Sequence, residues 1–266
     1  MTTTISMDPR IRARREQVEA EASRIRVHRL VWVALGLVVL VGAGALSLRS
    51  PLLDVNEVQV LGVSQTNPET IRAVSGISAG DTLLEVDMAT AAAAIAELPW
   101  VDEVSTERSI RGAVSFTVTE REPVAQAQIN GQAGYAIVDA DGRVLTTQSE
   151  PRPELVTISA ARGSMSPGGW LASGSLEAVA VADALRLPLG EKIDSIVINK
   201  SGTLNLYLNR EVVGEAAAGG VILIGSIDEV DAKVLAIETI LAQVDLACLA
   251  VLDVQVPTVP VITRTC

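Results

Sequence analysis

Aromatic residues and histidine are scarce in this chain of 266 residues. Phe, Trp and Tyr together make up 2% of the sequence, which gives little support for a sugar-binding surface of stacked rings. The only histidine, His28, precedes a long apolar run. If that run crosses a membrane, histidine-based catalytic triads and histidine zinc sites are excluded from everything beyond it.

Two cysteines, Cys248 and Cys266, are too few for a disulfide framework. Cys248 lies in the apolar run LACLAV, which predicts a small buried hydrophobic residue, whereas the terminal Cys266 is expected to be exposed. An exported domain would allow the two to be oxidised, so their pairing stays open as the less favoured alternative. Neither cysteine indicates catalysis.

Charged residues are absent from the run Leu30 to Leu48. As a helix this run would be about 28 Å long, which matches a bilayer core of about 30 Å. The run therefore predicts a transmembrane helix over residues 30–48, with Leu30, Trp32 and Leu48 in the span. The main alternative is a cleaved signal peptide, because Ala43-Gly44-Ala45 has the small-x-small form of a cleavage site.

Charge is distributed unevenly on the two sides of this run. The tail, residues 1–29, holds seven of the 21 basic residues of the chain, all of them arginine, and four of its 32 acidic residues. Beyond the tail there remain 14 basic and 28 acidic residues. The positive-inside rule predicts a plasma-membrane protein with a cytoplasmic N-terminus and an extracytoplasmic C-terminus. The acidic excess outside disfavours nucleic acid as a partner.

Beyond the span, residues 54–122 predict the order strand, helix, helix, strand, strand. Asn67 is expected to cap the first helix, with Pro68 in its first turn, and Gly76 to end it. Asp87 is expected to begin the second helix. The predicted elements are a strand over 56–63, helices over 67–76 and 87–98, and strands over 101–108 and 113–120.

This order, with LPWVDEVSTER entering the second strand and VTEREPVA leaving the third, resembles the POTRA domain of the FtsQ/DivIB family of bacterial cell-division proteins. Tyr135 to Val144 resembles the hairpin that follows this domain in the family, and Val251 to Pro257 resembles its penultimate strand. The chain departs from the family at SIRGA, where a proline is usual, and at Val254-Gln255, where a basic residue is common.

The resemblance implies an α+β fold. It consists of an N-terminal transmembrane helix, a POTRA domain (βααββ) over 54–122, and a mainly antiparallel β domain with two helices over 123–266. The two helices are predicted over 176–185 and 228–243, and residues 159–175 predict a mobile loop. The predicted turns are at Asn130-Gly131, Asp141-Gly142, Ser201-Gly202 and Gly219-Gly220.

Few residues suggest chemistry, and no catalytic, cofactor-binding or metal-binding residue is predicted. Glu120 and Glu122 form a pair of carboxylates, but a solvated strand end is the favoured interpretation. Asp139-Ala140-Asp141-Gly142 resembles the start of a calcium loop, but a tight hairpin turn is favoured because the later ligands are missing. Glu120, Arg121 and Pro123 are expected at the domain junction.

The C-terminal segment is the candidate for partner binding. Pro257 and Pro260 each remove one hydrogen-bond donor, so only the segment beyond Pro260 offers an uninterrupted strand edge. Such an edge either accepts another chain by β-augmentation or is an ordinary protected terminal strand. The resemblance implies that the C-terminal strand receives the FtsB/DivIC partner, itself paired with FtsL. The expected contact residues are Val259, Val261, Ile262, Thr263 and Arg264.

The function expected from the resemblance is that of a non-enzymatic divisome scaffold. It would bind FtsB/DivIC-like and FtsL-like subunits outside the membrane, and link early and late division proteins at the septum. Two other classes stay open. One is a membrane-anchored cell-wall enzyme that uses carboxylates, and the other is a POTRA-type translocation component.

Overall fold

The computed structural model describes residues 31–42, 54–186, 189–210 and 220–266. The chain divides into two compact units. The smaller comprises the described residues up to Glu57 together with Ser78–Val86 and Arg108–Val114. The larger comprises Val58–Ile77, Asp87–Glu107 and Ser115–Cys266.

Residues 31–42 form a helix within the predicted membrane span. Its large apolar side chains are exposed along the whole helix, from 50% at Leu35 to 72% at Leu40, with Trp32 at 65%. Within the described ranges, no helix combines the length and the apolar character needed to cross a membrane. Leu30, Leu48, the tail and Ala43-Gly44-Ala45 lie outside the described residues.

The smaller unit is organised around the chain at residues 54–56. The main-chain N–H of Val55 donates to Asp81 O (2.8 Å), and that of Asn56 donates to Gly112 O (2.7 Å). Asp54 also forms an antiparallel bridge with Thr82. Gly112 has a φ of 85°, and a Cβ atom there would approach Asp54 O to 2.5 Å, so this turn requires glycine.

The first five elements after residue 53 follow the predicted order. They are β1 (Glu57–Leu61), α1 (Pro68–Ser75), α2 (Met88–Ala96), β2 (Val101–Arg108) and β3 (Ala113–Glu120), and the strands form a sheet in the order β1-β3-β2. Strands β2 and β3 have the predicted bounds. Asn67 caps α1 by accepting from Glu69 N, and Gly76 ends this helix in the left-handed conformation. Asp87 caps α2 through the N–H groups of Ala89 and Thr90.

A second sheet has nine strands, in the order β12-β11-β10-β9-β8-β7-β4-β5-β6. Its strands are β4 (Ala125–Ile129), β5 (Tyr135–Val138), β6 (Val144–Gln148), β7 (Val156–Ala161), β8 (Ile193–Ile198), β9 (Leu204–Leu208), β10 (Val221–Gly225), β11 (Leu249–Asp253) and β12 (Val261–Arg264). Gly131, Gly142 and Gly202 have positive φ, as the predicted turns require. The turn at Gly219-Gly220 lies partly outside the described residues.

The α+β class is confirmed, but the larger sheet is more mixed than predicted. Five of its strand pairs are antiparallel, whereas β4–β7, β7–β8 and β10–β11 are parallel. The two predicted helices explain two of the parallel pairs. Helix α3 (Ser173–Arg186) connects β7 to β8, and α4 (Val230–Leu241) connects β10 to β11. A helical crossover brings the next strand back in the same direction.

The core of the larger sheet is formed by buried aliphatic residues of the strands and of both helices. Ile158, Leu206, Ile222 and Leu252 contribute from the strands, and Leu185 contributes from α3. Lys233 of α4 is 2% exposed, and its ammonium group donates to Ile224 O (3.0 Å) and Ser226 O (2.8 Å). These two bonds fix α4 over the end of β10.

The prediction that favoured unpaired cysteines is wrong, because Cys248 and Cys266 form a disulfide. The physical reason is the antiparallel register of β11 and β12, which places Leu249 opposite Arg264. Cys248 directly precedes Leu249 and Cys266 lies two residues beyond Arg264, so the two cysteines come close, with their Cα atoms 5.3 Å apart. The disulfide thus ties the segment after β12 to the residue before β11.

The predicted mobile loop at 159–175 is shorter than expected and is held by hydrogen bonds. Its first residues belong to β7 and its last to α3. Between them, Gly168 N donates to Val144 O (2.7 Å) and Leu171 N donates to Gly142 O (2.9 Å). This segment therefore packs on the β5–β6 hairpin.

Candidate functional site

Arg121, immediately after β3, is the centre of an ion network at the predicted domain junction. Its Nη1 lies 2.6 Å from Asp139 Oδ2 and 3.1 Å from Asp141 Oδ2, and its Nη2 lies 3.3 Å from Asp102 Oδ1. Its Nε donates to Val101 O (2.9 Å). Burial alone would lower the pKa of Arg121, but the bonds to Asp139 and Asp141 outweigh it and raise that pKa.

Asp139 links this network to the β5–β6 hairpin. Its carboxylate is 5% exposed, and Oδ1 accepts from the main-chain N–H groups of Asp141 (3.1 Å) and Arg143 (2.8 Å). The tight hairpin turn favoured from the sequence is therefore present. Through Asp139, Arg121 attaches the end of the three-stranded sheet to the first hairpin of the larger sheet.

Arg143 makes a second connection in the opposite direction. Its Nη2 donates to Glu97 O (2.9 Å) and Leu98 O (3.4 Å), just past the end of α2, where the helix dipole favours a cation. Its guanidinium also lies 5.6 Å from the centroid of the Trp170 ring. The sequence carries no signal that distinguishes Arg143 from an ordinary turn residue. We call Asp102, Arg121, Asp139, Asp141 and Arg143 the junction cluster.

Glu120 and Glu122 do not form a convergent carboxylate pair. Glu120 accepts from Ser64 N (2.8 Å), Ser64 Oγ (2.8 Å), Gln65 N (2.9 Å) and Thr66 N (2.7 Å). Burial raises the pKa of Glu120, but these bonds outweigh it and lower it to about 2. Glu122 instead pairs with Arg186 at 3.0 Å.

A carboxyl group with a pKa of about 2 is ionised at neutral pH and is a weak base, so Glu120 is poorly suited to acid/base chemistry. Its bonds fix the loop that precedes α1. Pro123, the third residue predicted at the junction, is half-buried between β3 and β4. Glu120 and Arg121 therefore make structural contacts, and the three predicted junction residues lie at the end of β3 or between β3 and β4.

A cleft of about 440 Å³ lies beside the junction cluster, and its walls are mostly charged. Arg121 and Arg186 are its two basic residues, and both are paired with carboxylates that also line it. Over the described ranges, no group of three or more His, Cys, Asp or Glu side chains is arranged to hold a metal ion. The charges of the cleft are thus largely used in holding its own walls together.

The C-terminal candidate residues lie at the edge of the larger sheet. β12 is hydrogen-bonded to β11 and is the last strand in the sheet order, so one of its backbone edges has no neighbouring strand in the described chain. It begins directly after Pro260 and contains no proline. Val261 is 58% exposed, whereas Ile262 packs against the core. Val259, Thr263 and Arg264 are exposed.

An apolar groove of about 370 Å³ lies between α4 and the segment that precedes β12. Leu235, which is 63% exposed, is among its lining residues. The buried face of α4 is formed by Lys233, Val234, Ile237 and Leu241. Leu235 lies outside this face, so the helical pattern of the sequence gives no sign of the groove. It is lined by Glu229, Ala232, Leu235, Ala236, Thr239, Ile240, Pro257, Thr258 and Pro260.

Comparison with known families and proteins gives a consistent result. The family described as "POTRA domain, FtsQ-type" matches residues 53–121. The protein named "Cell division protein FtsQ" of Corynebacterium glutamicum is 31% identical over 125 residues, which are 46% of this chain and 55% of that protein. The protein of the same name from Rhodothermus marinus is 27% identical over 195 residues, 73% of this chain and 71% of its own.

A third protein of this name, from Streptomyces venezuelae, is 34% identical over 142 residues, 52% of each chain. The aligned part thus spans about half the length of the Corynebacterium and Streptomyces proteins. The resemblance to the FtsQ/DivIB family and its POTRA domain is confirmed.

Proposed function

We propose that this chain, which carries an FtsQ-type POTRA domain, is a bacterial cell division protein that acts as a non-enzymatic divisome scaffold at the septum. The similarity to proteins named for cell division supports a role in that process. It extends beyond the POTRA match, since the Rhodothermus alignment takes in 73% of the chain. The free edge of β12 is the observation that carries the partner-binding part of the proposal.

The partner contact is a strand addition. An extended segment of an FtsB/DivIC-like subunit pairs with β12, and an FtsL-like subunit is held through that partner. Val261, Thr263 and Arg264 present exposed side chains along the strand, and Val259 precedes it. Main-chain hydrogen bonds provide affinity, and the exposed side chains select the partner.

The groove beside α4 supports this contact. It lies next to Pro257 and Pro260, where the chain turns into β12, and it is lined largely by apolar or small side chains. A strand added at β12 continues past Pro260 toward this groove, where an apolar side chain of the partner can be buried. The Cys248–Cys266 disulfide holds the other end of β12, so little ordering of this chain is needed on binding.

The scaffold is anchored by one membrane helix over residues 30–48, with the tail 1–29 in the cytoplasm. The support is the charge-free sequence and the exposure of the apolar side chains of helix 31–42, none of which is below 50% among its large residues. Exported residues 54–122 form the POTRA domain and 123–266 the β domain, joined by the junction cluster and by Glu120, Arg121 and Pro123.

The test is a pull-down of the FtsB/DivIC-like and FtsL-like subunits of the same organism. Replacing both Val259 and Val261 with aspartate places charge beside the edge, and we expect most of the captured partner to be lost. Ile262 is unsuitable because it packs against the core. The control is Leu61→Asp, a change of the same apolar-to-acidic kind at a residue 52% exposed in β1.

The proposed partner site is refuted if the Val259/Val261 double variant captures as much partner as the Leu61→Asp control and both variants have the same unfolding midpoint.

Depletion of the protein in cells separates the scaffold from the two other functional classes. A scaffold of division gives cells that grow but fail to septate, with a tagged copy at midcell. Hydrolysis of cell-wall polymer by the purified chain would instead indicate an enzyme.

A further inference from the structure

The tip of the β2–β3 turn carries an unusually exposed apolar residue. Ile110 is 88% exposed, more than any other large apolar residue of the described chain. Leu84, in the neighbouring segment of the same unit, is 56% exposed. Isolated exposed aliphatic residues are common, so exposure alone assigns no role to Ile110 and Leu84. Their position relative to the predicted membrane span is the further evidence.

Both residues lie on segments that are bonded to residues 54–56, the entry point of the chain from the predicted membrane span. Asn56 donates from its main chain to Gly112 O (2.7 Å) and from its side chain to Arg111 O (3.1 Å), which fixes the turn of Ile110. The bridge between Asp54 and Thr82 fixes the segment of Leu84.

A further bond joins these two segments, because Arg108 Nη1 donates to Leu83 O at 2.9 Å. The entry point and the two apolar residues therefore form one connected end of the smaller unit.

The chain length limits how far this end can lie from the bilayer. Between Leu48, the predicted end of the span, and Asp54 there are five residues. At no more than about 3.6 Å per residue, they reach roughly 20 Å even when fully extended. The headgroup layer on each side of the hydrocarbon core occupies about 5–8 Å of that distance. A short tether of this kind gives a high effective concentration of the surface next to it.

We propose that this end of the smaller unit rests on the outer surface of the membrane, with the side chains of Ile110 and Leu84 in the interfacial layer. The inference rests on the proposed membrane anchor. A lipid surface fits these residues better than a protein partner does, because the tether holds them next to lipid whether or not a partner is bound.

Electrostatics makes little contribution to this contact. The guanidinium of Arg111 has no hydrogen bond or ion pair with the described residues and is available to a lipid phosphate. The same unit also carries acidic residues, among them Asp54, Glu57 and Glu85. The contact is therefore expected in zwitterionic vesicles and should depend weakly on salt.

The experiment uses the full chain reconstituted into phosphatidylcholine vesicles that contain a lipid with a nitroxide at the headgroup. A fluorophore is attached at Ser109→Cys, beside Ile110, and in a second protein at Ser201→Cys, in the turn after β8. The native cysteines stay oxidised in the disulfide. We expect several-fold stronger quenching at 109 than at 201, and loss of that difference when Ile110 and Leu84 are both replaced by aspartate.

Equal quenching at the two positions overturns the inference, as does quenching at 109 that survives the double replacement. Carbonate extraction of the same vesicles separates this result from a failure of the anchor. A chain that resists extraction but shows no excess quenching at 109 refutes only the surface contact. A chain that is washed from the vesicles refutes both the anchor and the contact.

Discussion

Replacing Arg121 with methionine tests whether a buried ion pair holds the predicted domain junction. The side chains of Arg121 and Asp139 are 13% and 5% exposed, so Arg121→Met leaves a buried carboxylate without its cation. Loss of one partner of a buried ion pair costs about 3–5 kcal/mol. Asp139 keeps two main-chain N–H donors, so we expect the lower end of that range, about 3 kcal/mol.

The assay is thermal unfolding of the purified chain in detergent, followed by tryptophan fluorescence. For a protein of this size, 1 kcal/mol shifts the midpoint by about 2–4 °C, so Arg121→Met should lower it by roughly 6–12 °C. The matched control is Arg186→Met, which removes the same kind of side chain from the pair with Glu122. Those side chains are 38% and 76% exposed, and exposed pairs contribute about 0–1 kcal/mol.

A double-mutant cycle identifies the interaction itself. If Arg121 acts through Asp139, the change Asp139→Asn should destabilise the Arg121→Met chain less than it destabilises the wild-type chain. Equal midpoints for Arg121→Met and Arg186→Met would refute the reasoning, and so would strictly additive effects of the two substitutions at Arg121 and Asp139.

Three further predictions concern other parts of the larger unit. Glu120→Gln should destabilise the chain at pH 7. The pKa of Glu120 is about 2 in the folded chain and 4.5 in the reference state. The ionised carboxylate therefore stabilises the fold above pH 4.5, and this stabilisation is lost as the pH falls toward 2. Denaturant titrations across that window should show the two proteins converging, and a constant difference would contradict this. The Cys248–Cys266 disulfide joins residues 18 apart in sequence, so its reduction should lower the free energy of unfolding by about 3 kcal/mol by the loop-entropy relation. It should also weaken partner capture. If neither the free energy of unfolding nor the captured amount changes, the role proposed for β12 is contradicted. Lys233→Met should lower the free energy of unfolding in urea by about 1–3 kcal/mol, because the buried carbonyl of Ile224 and the partly buried carbonyl of Ser226 lose their donor. A neutral effect would show that these carbonyls find other donors.

Local signals in the sequence predict the first five elements well. The alternation of residues in β2 and β3 and the turn at Gly112 depend on neighbours a few residues apart, so both strands have the predicted bounds. Asn67 and Gly76 act at the ends of α1 as predicted because caps are also local. The penultimate strand ends at Asp253, earlier than predicted, since the Asp253 side chain accepts from Gln255 N and turns the chain.

Features that depend on distant parts of the chain are the ones that sequence patterns do not predict. Two of the three parallel pairs, β7–β8 and β10–β11, follow from where the helical crossovers return the strands, and the disulfide follows from the register of β11 and β12. Arg143 is important because it reaches Leu98, which is 45 residues away in sequence. Leu235 lies outside the buried face of α4 and becomes part of a groove only beside Pro257.

The two ends of β12 are fixed in different ways, and this bears on how the proposed partner contact would form. At the start, Pro260 prevents the strand from extending backwards, and Ile262 packs against the core. At the end, the disulfide ties Cys266 to the residue before β11. The backbone edge of β12 that has no neighbouring strand among the described residues is therefore a short template of four residues, held at both ends. A partner that pairs with it bears most of the ordering cost itself, so differences in affinity between partners should arise from their own sequences rather than from rearrangement of this chain.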